Sequence, residues 1–349
     1  MSRRPTLQDV ADRAGVSRAA ASFALSGRPG VSEATRERIL LAARELDYVV
    51  NIGARNLRRQ QAGTIGLHLP DHATGLSYYM DVAFGVVEAA QARGRSVVLL
   101  ARTPDAAERT HVDGMIVVDA KDGDELAARI LEGRVPVVSG EPVGAGMRQP
   151  AGIVRSDYAG STRELLDHFA DRGARRMTLF APPVDTAWGR DVREAHAAWC
   201  EREGIEPRIV EIDFAPDPDV LGEAARRELE ERPDTDAILV VPDGAVHGII
   251  AAARILGREL GRDLLLATCV DGVANRLFST PVTGIDLRAR QLGAACVELL
   301  EEIIAEGEPD AAEGEAPPPP RLRLHGVELR ARASTEGPVR PPRPAGAGT

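Results

Sequence analysis

The hydrophobic pattern of the first fifty residues predicts three short helices. Apolar side chains recur at helical spacing between residues 6 and 15, at Leu7, Val10, Ala11 and Ala14. Thr6 and Asp9 form a capping-box pair at the start of this segment, and Gly15 offers the left-handed backbone of a tight turn at its end. Ser17 caps a second helix and Ser32 begins a third. Two helices joined by so short a turn predict a helix-turn-helix.

The second helix is predicted to have two different faces. At about 100° per residue, one side holds the packing residues Ala20, Ala21, Ala24 and Leu25. The opposite side holds Arg18, Ala19, Ser22 and Phe23, which are predicted to face outward. Phe23 has a second interpretation as a core residue. The outward set has the size and chemistry to face a groove.

From residue 64 the pattern changes to alternating strands and helices. Strands are predicted at 65–69, 97–100, 114–118, 135–139, 177–180, 208–212, 237–241 and 264–268. Helices are predicted at 79–93, 124–132, 160–172, 192–203, 219–231, 245–256 and 289–306. This alternation is typical of parallel sheets covered by helices on both faces. So many units predict an α/β body of two doubly wound lobes, with a ligand cleft at the carboxyl ends of the strands.

The predicted division of the chain follows these changes in pattern. It comprises a helix-turn-helix domain at 1–50, a linker at 51–62, a two-lobed body at 63–335 and a disordered tail at 336–349. Residues 306–320 are acidic and then proline-rich, which predicts a flexible crossing, and 322–332 has the pattern of a strand that rejoins a sheet. Only about a dozen residues separate Leu100 from Asp113, so the crossover helix there is expected to be truncated.

Charge and composition narrow the function. Residues 1–60 contain eleven arginines and six acidic residues, whereas the whole chain has a net charge of −10. Each arginine alone is readily explained as a solvated surface residue, but the clustering predicts a polyanionic partner for the head. Neither a membrane-spanning run nor a signal-peptide stretch is found, which predicts a cytoplasmic protein. The three cysteines and seven histidines have no metal, redox or catalytic spacing, so no metal, cofactor or enzymatic activity is expected.

Several motifs together resemble the LacI/GalR (lactose-repressor) family of bacterial transcription regulators. The strongest are Thr6-Leu7-Gln8-Asp9-Val10-Ala11, Ala14-Gly15-Val16-Ser17, Val31-Ser32, Thr35-Arg36 and Leu46-Asp47-Tyr48. Weaker ones are Val112-Asp113-Gly114, Asp157 with Gly160, Pro242-Asp243, Val270-Asp271-Gly272, Thr280-Pro281-Val282-Thr283, Glu328-Leu329 and Arg332-Ala333-Ser334-Thr335. The resemblance implies a dimer that grips a near-palindromic operator, with an effector domain similar to periplasmic sugar-binding proteins.

The resemblance also implies which residues contact DNA. Arg18, Ala19 and Phe23 occupy positions that read bases, and Arg18 can pair with guanine O6 and N7. The remaining implied contacts are Thr6, Ser17 and Ser22 in the head and Asn51, Ala54 and Leu57 in a hinge helix. Leu57 matches a leucine that enters the minor groove, although an ordinary linker leucine remains the alternative. Val50 stands where the family usually has proline.

For the cleft, the matching positions are Tyr78, Tyr79, Trp188, Arg193, Asp243 and Asp271. Carboxylates, a guanidinium and aromatic rings suit a polyhydroxylated effector such as a sugar. Tyr78 and Tyr79 have the alternative of packing the first helix of the body. The expected function is therefore a DNA-binding repressor whose affinity a small molecule shifts. An activator or a co-repressor-dependent regulator is the alternative, and a sugar-binding receptor or sugar-acting enzyme is a remote one.

Overall fold

The computed structural model describes residues 5–25, 29–48, 62–71, 77–100, 103, 106–144, 146–215, 217–307 and 318–339. It divides the chain into two compact units, residues 1–63 and residues 64–349. Within the described residues, no helix has both the length and the apolar character that a membrane span requires.

The first unit contains three helices, α1 (Leu7–Ala14), α2 (Arg18–Leu25) and α3 (Glu33–Glu45). The predicted capping box is present, because the Thr6 side chain accepts from the Asp9 amide and Asp9 accepts from the Thr6 amide. Gly15 ends α1 in the left-handed region at φ 62°. The Ser17 hydroxyl then accepts from the amide of Ala20 at 3.1 Å and begins α2. These local interactions set the turn between α1 and α2.

The core of this unit consists mainly of alanines. Its buried members are Val10, Ala11, Ala14, Ala21, Ala24, Ile39, Ala42 and Ala43. On α3 the larger Leu40 is exposed, and Ala42 takes the inner position. Small side chains let the helices approach closely, and Arg13 on α1 reaches Glu45 on α3 at 2.8 Å.

The first lobe of the second unit contains a parallel sheet in the order β11-β5-β4-β3-β1-β2. Its strands are β1 (Thr64–His68), β2 (Ser96–Leu99), β3 (Gly114–Val118), β4 (Val137–Gly140), β5 (Gly152–Ser156) and β11 (Arg321–His325). Its helices are α4 (Ser77–Ala92), α5 (Ala106–Arg109), α6 (Glu125–Glu132) and α12 (Ala289–Glu306). Between Leu100 and Asp113, the described residues form only the four-residue α5, as expected of a truncated crossover.

The second lobe repeats this arrangement, with the sheet order β12-β10-β9-β8-β6-β7. Its strands are β6 (Met177–Ala181), β7 (Ile209–Glu211), β8 (Ala237–Val240), β9 (Leu265–Thr268), β10 (Thr283–Asp286) and β12 (Glu328–Arg330). Only β12 runs antiparallel to its neighbour among these described strands. The helices are α7 (Tyr158–Asp171), α8 (Ala187–Glu203), α9 (Pro218–Glu231), α10 (Val246–Ile255), α11 (Val273–Leu277) and α13 (Ala333–Glu336).

The chain crosses between the lobes three times, after β5, after β10 and after β11. The predicted strand at 322–332 is therefore two strands, β11 in the first sheet and β12 in the second. Glu336 is the last residue of α13, and the Val339 amide donates a hydrogen bond to the Arg172 carbonyl. For residues 336–339 the expected disorder is wrong, because the segment docks on the second lobe.

Helices α4 and α12 pack together through glycines. A Cβ atom added to Gly293 would lie 2.2 Å from the carbonyl oxygen of Val82, and one added to Gly85 would lie 2.0 Å from that of Arg290. Neither distance is compatible with a side chain. The two helices therefore approach backbone to backbone, which orients α4 on the sheet.

Gly293→Ala should lower the free energy of unfolding by about 1–3 kcal/mol, because the added methyl forces α4 and α12 apart. Gly222→Ala, in the middle of α9, is the matched control, since its Cβ would meet its nearest neighbour at an ordinary 3.7 Å. The control should be neutral or more stable by about 0.5–1 kcal/mol. Denaturant unfolding of the intact chain measures both. Equal effects of the two substitutions would contradict the close approach.

Candidate functional site

Helix α2 presents an outward face of three different side chains. Arg18, Ala19 and Phe23 are exposed, Ser22 is half-buried, and Phe23 keeps 40% of its surface in solvent. A Cβ atom on Gly30 would lie 3.3 Å from the Phe23 ring, so the ring covers a glycine instead of entering the helical core. The face thus offers a guanidinium group, a methyl group and an aromatic ring to a partner.

Thr6 and Ser17 lie at the amino ends of α1 and α2. Both side chains are exposed, and each hydroxyl caps its own helix. Free amides at such helix ends favour phosphate oxygens. Asn51, Ala54 and Leu57 lie outside the described residues, so their predicted contacts stay predictions.

In the second unit, acidic residues follow the buried strands of both sheets. Asp119 comes directly after β3 and Glu141 directly after β4, while Asp243 and Asp271 follow β8 and β9. Asp119 and Glu141 have φ angles of 47° and 76°, in the left-handed region that residues other than glycine rarely adopt. Such strained conformations concentrate at functional sites.

Between the lobes lies a small cavity of about 20 Å³. It is lined by Tyr78, Tyr79, Asp119, Tyr158, Trp188, Phe214, Asp243, Val270 and Leu287. A volume of this size holds about one water molecule. Trp188 packs edge to face against Tyr158 and Phe214, with ring centroids 6.1 and 5.5 Å apart. The protein's own aromatic side chains therefore fill the cleft in this closed arrangement.

Asp119 is buried in this cleft and only half satisfied. The Tyr79 hydroxyl donates to its Oδ2 at 2.9 Å, whereas its Oδ1 has no partner among the described residues. Burial raises the pKa of Asp119 to about 6, and the hydrogen bond from Tyr79 offsets part of this shift. Trp188 Nε1 is likewise buried without a partner among the residues described.

Glu141 is buried beside Asp119 but is well bonded. It accepts from the Ser156 hydroxyl at 2.7 Å, from the Ser156 amide at 3.1 Å and from the Tyr158 hydroxyl at 3.0 Å. Burial and the nearby charge of Asp119 raise the pKa of Glu141 to about 8. At neutral pH this carboxyl group is mostly protonated.

Several contacts join the lobes. Asp243 accepts from the Ser77 hydroxyl at 2.8 Å and from the Tyr78 amide at 3.3 Å, so a residue of the second lobe caps α4 of the first. At another contact, the Asp122 amide donates to the Asp185 carbonyl at 2.7 Å, and the Asp122 side chain meets Arg190 at 3.1 Å. Arg155 of the first lobe also meets Asp191 of the second at 3.1 Å.

The structure brings four of the six sequence-predicted cleft residues to the cavity, namely Tyr78, Tyr79, Trp188 and Asp243. Arg193 does not line it, because its guanidinium donates to the Pro182 carbonyl and meets Glu211 at 3.2 Å. Asp271 is not among the lining residues either, and both its oxygens accept from Arg332.

Sequence reasoning missed five residues that line the cavity, Asp119, Tyr158, Phe214, Val270 and Leu287, and also Glu141, which accepts from Tyr158 beside it. For the two acidic residues a signal existed, because each directly follows a short apolar strand whose carboxyl end points to the cleft. Tyr158 and Phe214 carried no comparable signal, since their positions depend on how the lobes close.

Comparisons with known proteins agree with this architecture. Residues 6–51 match the family model described as bacterial regulatory proteins, lacI family, and residues 166–335 match the periplasmic binding protein-like domain. The HTH-type transcriptional regulator CelR of Thermobifida fusca is 29% identical over 335 residues, covering 92% of this chain and 96% of CelR. The sucrose operon repressor of Klebsiella pneumoniae is 26% identical, covering 91% and 95%.

Solved structures show the same fold. A CelR–cellobiose complex has a TM-score of 0.67 at 26% identity and covers 95% of this chain and 100% of that structure. A lac repressor dimer bound to operator has a TM-score of 0.73 at 24% identity and covers 95% and 99%. The predicted fold class, a helix-turn-helix head with a two-lobed periplasmic-binding-protein-like body, is confirmed.

A lacI-family head followed by a periplasmic-binding-protein-like body defines the class of transcriptional regulators, not of enzymes. The head of this chain belongs to the lacI family of bacterial regulatory proteins, and its body matches the periplasmic binding protein-like domain.

The raised pKa of Glu141 has a consequence for stability. The folded protein holds this proton between about pH 4.5 and 8, where the unfolded chain releases it, so stability falls as pH rises through this window. Glu141→Gln should remove this part of the dependence, which is at most about 1.4 kcal/mol per pH unit. We expect the melting temperature to fall less between pH 5 and pH 8 in this variant than in the wild type.

Glu201→Gln, at an exposed position of α8, is the control and should follow the wild type. Calorimetric melting of all three proteins across the same buffers measures the effect. Parallel curves for the wild type and Glu141→Gln would rule out a buried, protonated Glu141.

Proposed function

We propose that this regulator is a repressor that binds a near-palindromic operator as a dimer, with an affinity set by a carbohydrate-like effector in the interlobe cleft. The observation that carries the proposal is the closed cleft, in which one carboxylate oxygen of Asp119 and the indole nitrogen of Trp188 lack partners among the described residues. Relatives named as a sucrose operon repressor and as a cellobiose complex support the repressor role and the effector class. We place the protein in the cytoplasm, where its operator is.

In the DNA-binding part, α2 lies in the major groove. Arg18 pairs with a guanine, while Ala19 and Phe23 contact apolar atoms such as a thymine methyl. Thr6, Ser17 and Ser22 contact the backbone. The proposed domain division is 1–50 for the head, 51–62 for a hinge that includes Asn51, Ala54 and Leu57, 63–335 for the effector and dimerisation body, and a tail beyond it.

In the effector part, binding requires the lobes to separate. Small-molecule sites usually have volumes of about 300–1,000 Å³, far more than the closed cavity of about 20 Å³. Opening breaks the hydrogen bonds of Asp243 to Ser77 and Tyr78 and replaces them with bonds to the ligand. A ligand that binds the two lobe arrangements unequally shifts their populations, and with them the affinity for operator.

Selection of bound duplexes from a random DNA pool, using the full chain, tests the DNA-binding proposal. A palindromic site should emerge, since a two-fold dimer reads two half-sites. Titrating sugars into the operator complex then tests the effector. The absence of any duplex preference at moderate ionic strength would overturn the proposal.

Arg18→Ala should relax the base preference at one position of each half-site, with a loss of about 1–3 kcal/mol on the selected operator. Arg38→Ala is the control, because Arg38 is an exposed arginine of α3 outside the reading face. Comparing the duplexes recovered with each variant measures the effect. An equal loss on every duplex would make Arg18 a phosphate contact instead.

Leu57→Ala should reduce both operator bending and affinity, because an apolar wedge lets a bent duplex contact more protein at a cost of a few kcal/mol for unstacking. Gel mobility of circularly permuted operator fragments measures the bend. Unchanged bending and affinity would leave Leu57 as a linker residue.

A further inference from the structure

The interlobe cleft has acidic but no basic side chains in its described lining. Asp119 and Asp243 line it, and no cationic side chain is among its described lining residues. The arginines predicted or found nearby are already engaged. Arg193 donates to the Pro182 carbonyl, and Arg332 holds both oxygens of Asp271. The protein therefore leaves the negative charge of this cleft without an internal counter-ion among the residues described.

Asp119 is the residue at which this charge is exposed to a ligand. The residue lines the cavity and is only 5% exposed, and its buried Oδ1 has no partner among the described residues. Glu141 is satisfied by three donors, whereas Asp119 has the single bond from Tyr79. Burying an ionised carboxylate costs several kcal/mol unless a donor or a charge compensates it. The Asp119 carboxylate therefore lacks a strong, positively charged hydrogen-bond donor.

Two other lining residues have buried polar atoms without partners among the described residues. These are the Tyr78 hydroxyl, which can donate or accept, and Trp188 Nε1. Trp188 is 4% exposed, and its Nε1 can only donate. The occupant of the cleft must therefore present an acceptor to Trp188 and a donor to Asp119. A simple alkylammonium ion offers no acceptor, and a quaternary ammonium offers no donor. A sugar hydroxyl or ring oxygen supplies the acceptor.

The aromatic walls suit both parts of such a ligand. Five aromatic residues line the cavity, Tyr78, Tyr79, Tyr158, Trp188 and Phe214. Aromatic faces attract ammonium groups through their quadrupole and also pack against the apolar face of a sugar ring. The cleft combines these faces with the carboxylate of Asp119, which has no counter-ion among the lining residues. A neutral sugar would bury this carboxylate without neutralising its charge.

We propose that the effector is an amino sugar whose protonated amine donates to Oδ1 of Asp119 while a ring or hydroxyl oxygen accepts from Nε1 of Trp188. This inference rests on the proposed function, since it specifies the chemical class of the effector at the same cleft. The amine supplies the counter-ion that the protein lacks, and the sugar oxygens satisfy the indole.

A matched ligand pair tests the amine directly. Cellobiose and the β-1,4-linked disaccharide of glucosamine differ only in carrying a hydroxyl or an amine at each 2-position. Calorimetric titration of the full chain at about pH 6.5, below the range of α-amino pKa values, should show the glucosamine disaccharide binding at least about tenfold more tightly, which is one 1.4 kcal/mol step. Its N-acetylated form should lose this advantage, because acetylation removes the charge.

Asp119→Asn keeps the volume of the side chain and removes its charge. The variant should bring the preference for the amine below about threefold. Asp171→Asn, at an exposed position at the end of α7, is the control and should keep the full preference. Should Asp119→Asn fail to fold, the comparison of the two disaccharides on the wild-type protein still tests the inference.

The inference is overturned by equal or tighter binding of cellobiose, by a preference that Asp119→Asn leaves intact, or by tighter binding of choline than of either disaccharide. Release of the operator by a neutral sugar alone would contradict the proposed amine of the effector. It would not contradict the proposed function. Absence of any duplex preference would instead remove the proposed function itself.

Discussion

The closed body depends on one constraint, the satisfaction of polar groups that leave water when the two sheets face each other. Parallel strands direct their carboxyl ends to the same edge, so the loops after β3, β4, β8 and β9 meet across the cleft. Asp243 finds its partners on the opposite lobe, at Ser77 and the amide of Tyr78. Asp119 has a hydrogen-bond partner among the described residues for only one of its two carboxylate oxygens. Asp243 therefore helps to hold the cleft closed, whereas Asp119 keeps unused hydrogen-bonding capacity.

The same constraint explains why the cleft is suited to control. Three crossings connect the lobes, while the hydrophobic cores on the outer faces of the two sheets belong to one lobe each. The close packing of α4 on α12 keeps the first lobe intact, because both helices approach at Gly85 and Gly293. The largest buried cluster runs through both lobes and includes Ile65 and Leu265. In the proposed opening, the Asp243 and Asp122 contacts are the ones that break.

Sequence patterns predicted most of the fold, because helical and strand periodicity reports burial of one face or two. The head was clear from Thr6, Asp9, Gly15 and Ser17, whose capping and turn roles are local. Strands β5 and β10 escaped prediction, since each has only a few apolar residues and a glycine. The identity of Tyr78, Tyr79, Trp188 and Asp243 as cleft residues followed from matching motifs. Arg193 and Asp271 do not line the closed cavity, because their partners, Pro182 and Arg332, come from other segments of the chain.

By itself, the sequence determined the class of the molecule, a basic helix-turn-helix on an acidic two-lobed α/β body, because caps, turns and periodicity act over a few residues. Only the tertiary structure decided that Asp119 and Trp188 face the same cavity with unmet hydrogen-bonding capacity, and that Glu141 lies beside them with a raised pKa. Burial, desolvation and the loss of a partner arise between segments distant along the chain. No local pattern records them.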